Sequence, residues 1–493
     1  MDIAIIGFGT SGVSVLRQLT SHKEKLNIKK IYIIQDKKDQ FAKGLPYQKD
    51  HESLILNVFP KFMSMNPKDK HEFEHYLDQQ GISFEADDYL PRRIFGDYSQ
   101  SLYEELLENN NEIEIVNQEV IKIEIEDKQY RLIYKNTESI LVDSVQLTLG
   151  HVAYNDPYQL KHCDQFIYNP YPVEEKLSNL QANQNVAIIG TGLSALDIMT
   201  YLKRDNESRP VDMFSLEGLA RTVRGHNYQD KINLEYLSSE QLAAFADQLD
   251  RPLTADDIMN QFKKEVTEHG VDFDYFWNER VNDTIESLEK DFEQISDLNT
   301  LQTIIIAFKN NLNPLWDRLS EEEKGLYMKK YNGKITLYGA PIPAKRAKEI
   351  IDYTKEGTLR IVGGAEDIKW IDEENSFSIK ANSNVYDRYD YIINATGQNV
   401  VIKKQMDEQS TLVKQLVNDR IAEPYDFGGF KVDYPTYSLI HPDKGILPTF
   451  KVYGQLSSGI DLYNNSIAKL TASTKLGIEE MVKWYSEQQF YKG

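Results

Sequence analysis

The sequence predicts an α/β fold in which two βαβ units each open on a glycine turn, with a helical insertion inside the second. Three observations carry this prediction. An apolar run at residues 3–6 feeds directly into Gly7-Phe8-Gly9-Thr10-Ser11-Gly12. The same order returns at residues 185–195, where Val186-Ala-Ile-Ile189 leads into Gly190-Thr191-Gly192-Leu193-Ser194-Ala195. From about residue 230 to 332 the texture changes to acidic, helix-period segments.

The first turn has the strand–glycine–helix context that a dinucleotide fingerprint requires. Gly7 permits the tight turn, Gly9 lets a pyrophosphate approach the backbone, and Gly12 lets the helix pack on the strand. Thr10 and Ser11 begin that helix, whose free amides favour phosphate, and Val13, Leu16 and Leu19 give it an apolar face. A second apolar run at 31–34 follows at βαβ distance, and Asp36 stands where a carboxylate accepts from an adenosine ribose hydroxyl.

Next come Lys43-Gly-Leu-Pro-Tyr47, an apolar stretch at 54–58, and Met63-Ser64-Met65. Residues 91–98, Pro-Arg-Arg-Ile-Phe-Gly-Asp-Tyr, lead into a helix predicted over 99–107. Strand-like stretches follow at 114–125, 130–134 and 144–150, the last ending at His151. Residues 154–172, rich in Asn, Pro and Tyr, read as a crossover between domains.

In the second turn Ala195 stands in place of the third glycine, which the motif permits, and Leu193 and Ser194 open the following helix. Residues 211–214 supply the next strand. Inside the insertion, Thr254-Ala-Asp-Asp257 and Ser320-Glu-Glu-Glu323 read as N-caps with acids in the first turn. The α/β texture resumes with a helix at 343–353, a strand at 358–362 and a buried strand at 391–397. Residues 451–454 and Gly459 precede a last helix, predicted over 466–485 and expected to pack on the first domain.

Length bounds the chain to roughly three domains: 493 residues, at the usual domain size. The net charge of −21 argues against nucleic acid and anionic membrane surfaces as partners. No apolar run approaches the roughly 20 residues that span a bilayer, and no signal segment is expected, since the first strand opens at residue 3. Cys163 is the single cysteine, so an internal disulfide is excluded, the cytoplasm is the expected compartment, and this thiol reads as a bystander.

Two dinucleotide turns in one chain point to a resident cofactor and a mobile partner. FAD in the first and NADPH or NADH in the second form the natural pair, since a flavin takes a hydride from a nicotinamide when their rings stack. The expected architecture is thus two Rossmann-like domains, FAD-binding at 1–165 and NAD(P)-binding at 166–400, with a return to the FAD domain at 401–493.

Here the chain resembles the two-dinucleotide-binding flavoproteins, specifically the FAD–NAD(P)-binding group related to N-hydroxylating and other flavin monooxygenases. The residues that carry the resemblance are GFGTSG, GLPY, LNV before Met63-Ser64, PRRIFGDY, LTLGH, GTGLSALD, INATG and Trp316-x-x-Leu319. It implies FAD at Gly7, Gly9, Gly12 and Asp36, with Leu56 and Asn57 near the isoalloxazine. It implies the nicotinamide nucleotide at Gly190, Gly192 and Ala195, a crossover back to the flavin domain at Gly397, and a turn from Gly454 to Gly459 that closes over the flavin. Leu149-Gly150 departs from the usual Ala-Thr-Gly. Ser215-Leu-Glu217 stands where an arginine is common. Arg221 and Arg224 follow and could meet a 2′-phosphate, while Glu217 could instead accept from a 2′-hydroxyl; both arginines also read as surface charge or structural ion pairs.

Reduced flavin must pass its electrons on. A dithiol relay needs two cysteines, and no histidine spacing of ligand type, HExxH or CxxC suggests a metal. Molecular oxygen remains the simplest acceptor, forming a flavin peroxide that oxygenates a small molecule. No side-chain nucleophile is then required. Asn57 and Tyr47 are the candidates to line the pocket, with Arg92 or Arg93 as anionic anchors, and each also has a structural reading. His151, His226 and His441 stand near turns or loops and read as structural histidines. The leading expectation is an FAD-dependent, NAD(P)H-consuming monooxygenase. The alternatives are a flavin reductase or dehydrogenase serving a quinone or protein acceptor, and a non-catalytic nucleotide-sensing module. A homo-oligomer stays open.

Overall fold

In the computed structural model of the chain, which describes residues 1–150, 153–225, 232–280 and 283–490, the opening strand Asp2–Ile6 is buried at every residue except Asp2. It pairs in parallel with Lys30–Ile34 on one side and Ser144–Leu147 on the other, Ile3 lying opposite both Ile31 and Ser144. A strand enclosed on both faces reads as an unbroken apolar run, which is what residues 3–6 are.

The chain forms two compact units: residues 1–52, 58–153 and 398–493 make the first, and residues 53–57 and 154–397 the second. The sequence reading ended the first segment at 165. In the structure the 154–165 stretch bonds instead to the end of the second unit's sheet, with Asn155 N–H donating to Gly397 O at 3.0 Å and Asn394 Nδ2 to Asn155 O at 2.8 Å.

Seven strands form the first unit's main sheet, in the order Val432–Asp433, Ser438–His441, Gly445–Val452, Ser144–Leu147, Asp2–Ile6, Lys30–Ile34, Ile113–Val116. Five parallel strands form that of the second unit, in the order Leu359–Val362, Val211–Phe214, Val186–Ile189, Tyr391–Asn394, Phe166–Ile167. In each, the strand before the glycine turn lies between its βαβ partner and a strand supplied from much later in the chain. Each unit also carries an antiparallel three-stranded meander just ahead of that later strand: Val120–Glu126, Gln129–Tyr134 and Ser139–Val142 in the first, Ala365–Ile371, Ser376–Ala381 and Asn384–Tyr389 in the second.

The helix predicted over 99–107 spans Arg92–Glu108, beginning seven residues earlier. Pro91 at its N-cap presets the entry backbone, and Ile94, Phe95, Tyr98 and Leu102 bury one face at helical spacing. The insertion runs as helices from Ser239–Asp247 to Asn332–Gly339, somewhat past the expected end at 332. Both predicted caps are present. Thr254 and Asp257 form a capping box, and Ser320 Oγ accepts from Glu323 N–H at 3.2 Å. The final helix, Ile467–Phe490, packs on Thr10–Ser21, where the buried Ser14 and Thr474 hydroxyls bond at 2.7 Å. No described helix is long and apolar enough to cross a membrane.

Candidate functional site

The two glycine turns repeat each other bond for bond. Gly7 N–H donates to Ile34 O at 3.0 Å, and Gly190 N–H to Phe214 O at 2.7 Å. Thr148 N–H donates to Ile6 O at 2.9 Å, and Ala395 N–H to Ile189 O at 2.8 Å. Gly7 (φ +83°) and Gly190 (φ +125°) hold backbone conformations that favour glycine. A Cβ at Gly7 would meet Thr148 O at 2.7 Å, and one at Gly190 would overlap Ala395 O. Each glycine thus lets the returning strand cross directly over the turn.

Gly9 (φ −94°, ψ −157°) and Gly192 (φ −84°, ψ −169°) are the N-caps of the two helices, Thr10–Ser21 and Leu193–Lys203. Neither helix has a side-chain cap. The amides opening at Thr10, Ser11 and Gly12, and at Leu193, Ser194 and Ala195, are therefore available to an anion, and the helix dipoles favour one there. Among the described residues a Cβ on Gly192 would meet nothing within 4 Å, so this turn is open on that side. At Gly12 a Cβ would press on the Phe8 ring at 2.7 Å and on Gly7 O at 3.0 Å, so this glycine lets the helix start sit close on the turn.

Two narrower motifs assemble beside the first turn. Residues 43–47 lie against the Arg92–Glu108 helix. The Lys43 ammonium pairs with Asp97 at 2.7 Å, Ser99 Oγ donates to Ala42 O at 2.6 Å, and the Tyr47 and Phe95 rings stand 4.7 Å apart. A Cβ at Gly96 would overlap the Tyr47 carbonyl, so the glycine of PRRIFGDY exists to admit that backbone. Burial pushes the Tyr47 phenol up to about 12, with the Arg92 charge acting the other way, so Tyr47 stays neutral. Arg93 pairs with Glu52 on the exposed surface.

Asp36 is exposed just beyond the second strand. The residue before it, Gln35, was not singled out from sequence, yet its Oε1 accepts from Phe8 N–H at 3.1 Å and links the strand end to the glycine turn. Gly454 (φ +71°) follows the strand Gly445–Val452 and lies beside the start of the first helix, a Cβ there standing 3.5 Å from Ser11 Oγ. Its carbonyl accepts from Asn464 Nδ2 at 2.7 Å. Gly459 is a packing glycine, since a Cβ there would overlap Gly428 O and Tyr425.

In the second unit, the loop after Val211–Phe214 is tied to the glycine turn by Thr191, whose Oγ1 donates to Leu219 O at 2.7 Å. Arg221, half-buried, makes no hydrogen bond or ion pair among the described residues. Burial lowers its pKa, with nearby Glu217 acting in the opposite sense. Glu217 and Leu216 are exposed, Leu216 at 79%. Arg224 makes structural bonds. It is 4% exposed, and its Nη2 donates to Asn57 O and, at 3.2 Å, to Pro341 O, which makes it a brace between loops. Residues 53–57 belong to this second unit, where Arg346 Nη2 also donates to Ser53 O at 3.1 Å, and Leu56 is buried. Gly397 (φ +86°) ends the INATG turn.

His441 is structural: its Nδ1 accepts from Asp443 N–H at 3.0 Å and Lys444 N–H at 3.2 Å, and burial lowers its pKa. His151 and His226 lie outside the described residues. The Cys163 thiol is pushed up, first by burial and then by Asp156, Asp372 and Asp164, which makes it a poor nucleophile. Trp316 is a core residue of the insertion, 5.6 Å from the Tyr327 ring.

Residues 4–152 match the FAD-NAD(P)-binding family. No curated protein sequence matches the chain significantly. Among solved structures, the chain is similar to L-lysine 6-monooxygenase from Pseudomonas syringae, at 13% identity, 99% coverage of both chains and a TM-score of 0.57. It is similar to the cadaverine monooxygenase of Erwinia amylovora, solved bound to FAD, at 14% identity, 97% and 94% coverage and a TM-score of 0.55. It also shares the fold of the bacillithiol disulfide reductase of Bacillus cereus, at 9% identity, 98% and 100% coverage and a TM-score of 0.50. The architecture is that of the two-dinucleotide-domain flavoprotein oxidoreductases.

Proposed function

We propose that the chain is an FAD-dependent monooxygenase that consumes NAD(P)H and oxygenates a small amine or related metabolite. The observation that carries this reading is the pair of equivalent glycine turns, each opening an uncapped helix, one of them open on one side at Gly192.

The residues fit both groups. Gly7, Gly9, Gly12 and the amides of Thr10 and Ser11 would hold the FAD pyrophosphate, with Asp36 accepting from the ribose and Gly454 beside Ser11. Gly190, Gly192, Leu193, Ser194 and Ala195 would hold the nicotinamide nucleotide, with Arg221 as the cation for a 2′-phosphate. When bound, FAD supplies two-electron transfer between NAD(P)H and oxygen. The protein's own side chains bind and orient, and no nucleophile is needed.

Monooxygenation is favoured over disulfide reduction because the chain has one cysteine, whose thiol is pushed up rather than activated. The likeness to lysine and cadaverine monooxygenases supports an amine substrate, and the bacillithiol disulfide reductase sharing the fold keeps a reductase as the second reading. The test is a screen of primary amines for faster NADPH oxidation, with hydroxylated product and hydrogen peroxide both quantified. Product formed in step with NADPH supports the proposal. Fast electron transfer to quinones or disulfides with no oxygenated amine would replace it with the second reading.

A further inference from the structure

We propose that Asp291 and Gln302, two buried side chains of the helical insertion, are positioning residues that hold the Arg221 loop and thereby set the preference for NADPH over NADH. This rests on the reading above that the second glycine turn holds the nicotinamide nucleotide.

The loop leaving strand Val211–Phe214 is anchored in two halves. Its first half is fastened to the glycine turn: Thr191 Oγ1 donates to Leu219 O at 2.7 Å, and Ser215 Oγ accepts from Gly218 N–H at 2.8 Å. Its second half, residues 222–225, lies in none of the described sheets, and among the described residues its main chain bridges to Ile342, which accepts from Arg224 N–H at 2.8 Å and donates to Thr222 O at 2.8 Å. There the insertion supplies what a neighbouring strand would. Val223 N–H donates to Asp291 Oδ2 at 3.0 Å. Gln302 Nε2 donates to Val223 O at 2.7 Å, and its Oε1 accepts from Gly225 N–H at 3.1 Å. Thr284 Oγ1 adds a donation to Gly218 O at 2.8 Å.

These side chains are themselves fixed. Asp291 is 2% exposed and receives both terminal nitrogens of Arg280, while Gln302 is fully buried. Arg280 in turn lies over the Tyr338 ring, 5.6 Å from its centroid. A buried amide or carboxylate that satisfies main-chain groups on both sides of one residue leaves that segment a single conformation. Arg221 directly precedes the clamped segment and has no ion-pair partner among the described residues. The insertion thus holds a cation ready for a second anionic group, which NADPH carries and NADH lacks.

The experiment measures kcat and KM for NADPH and NADH, alongside FAD content and thermal melting. Gln302→Met is expected to raise KM for NADPH about tenfold and to leave kcat and KM for NADH within about twofold. Asp291→Leu should do the same, and Asp291→Asn, which keeps an acceptor for Val223 N–H, should recover most of the preference. In an Arg221→Ala background, Gln302→Met should change the coenzyme ratio no further. If the buried variants do not fold, Thr284→Val removes only the bond to Gly218 O and should cost about threefold in NADPH preference. The proposal is overturned if Arg221→Ala abolishes the preference while folded Gln302→Met and Thr284→Val keep the wild-type ratio. An Arg221→Ala protein with an unaltered ratio instead overturns the underlying assignment of the nucleotide.

Discussion

Gly9 and Gly44 meet backbone to backbone: a Cβ built on Gly9 would stand 2.9 Å from the Gly44 Cα. The glycine at the middle of the first turn therefore serves two purposes. It would leave the turn bare for the proposed pyrophosphate, and it admits the GLPY segment that the Arg92–Glu108 helix holds in place. The contact is asymmetric, because a Cβ on Gly44 would meet Gly9 Cα at an ordinary 3.6 Å. Gly9→Ala should lower stability by about 2 kcal/mol and reduce bound flavin, since backbone must shift to relieve the overlap. Gly44→Ala should cost only about 1 kcal/mol, from its φ of +68°. Urea unfolding with flavin quantification checks the order. Equal losses would contradict it.

The second turn predicts a different split. Gly190→Ala should destabilise the protein by about 3 kcal/mol, because the new methyl overlaps Ala395 O and the φ of +125° is hostile to a side chain. Gly192→Ala meets nothing within 4 Å and should leave the unfolding midpoint unchanged while raising KM for NADPH. Thermal melts and initial rates on the two variants separate these outcomes.

Arg224→Ala should destabilise by about 2 kcal/mol, since it strands the buried carbonyl of Pro341 and the half-buried carbonyl of Asn57. It should leave the NADPH-to-NADH ratio at wild-type values. A stable variant with altered coenzyme preference would restore Arg224 as a nucleotide ligand.

Lys451 makes a pH prediction. It is 1% exposed, its Nζ donates to Thr436 O at 2.7 Å and Ser438 Oγ at 2.9 Å, and burial lowers its pKa to about 7 against the opposing effect of Asp433 and Glu480. Unfolding returns it to the ordinary 10.5. Between those values the unfolded chain holds more protons, so this site's contribution to stability rises with pH; below about 7 its penalty is at full size. Lys451→Met should therefore stabilise the protein at pH 7 by about 2 kcal/mol, and the advantage should shrink by about pH 9.5. A difference between wild type and variant that is flat across that range would refute the assignment.

Local rules made much of this fold legible. Both glycine turns, the central strands and the caps at Thr254 and Ser320 announce themselves through a fixed order of residue types within a dozen positions. The meander at 365–389 did not, because its strands alternate buried residues with Lys, Asp, Glu and Arg, and its pairing is set by neighbours across the sheet. The start of the helix at Arg92 was missed because paired arginines hide an apolar face at Ile94, Phe95 and Tyr98. In the site, the roles of Gln35, Asp291 and Gln302 were invisible for one reason. Each acts through a main-chain group distant in sequence, and nothing in a lone Gln or Asp reports such a partner. The brace made by Arg224 was not legible because burial decides whether an arginine meets a ligand or a carbonyl.

The central claim is that one turn holds FAD and the other a nucleotide that reduces it. Anaerobic addition of NADPH to purified wild type, Gly9→Glu and Gly192→Glu, followed by visible flavin absorbance, tests it most directly. The account predicts a yellow wild type that bleaches, a colourless Gly9→Glu protein, and a yellow Gly192→Glu protein that does not bleach. A wild type that takes up no FAD, or a Gly192→Glu protein that bleaches at the wild-type rate, would contradict it.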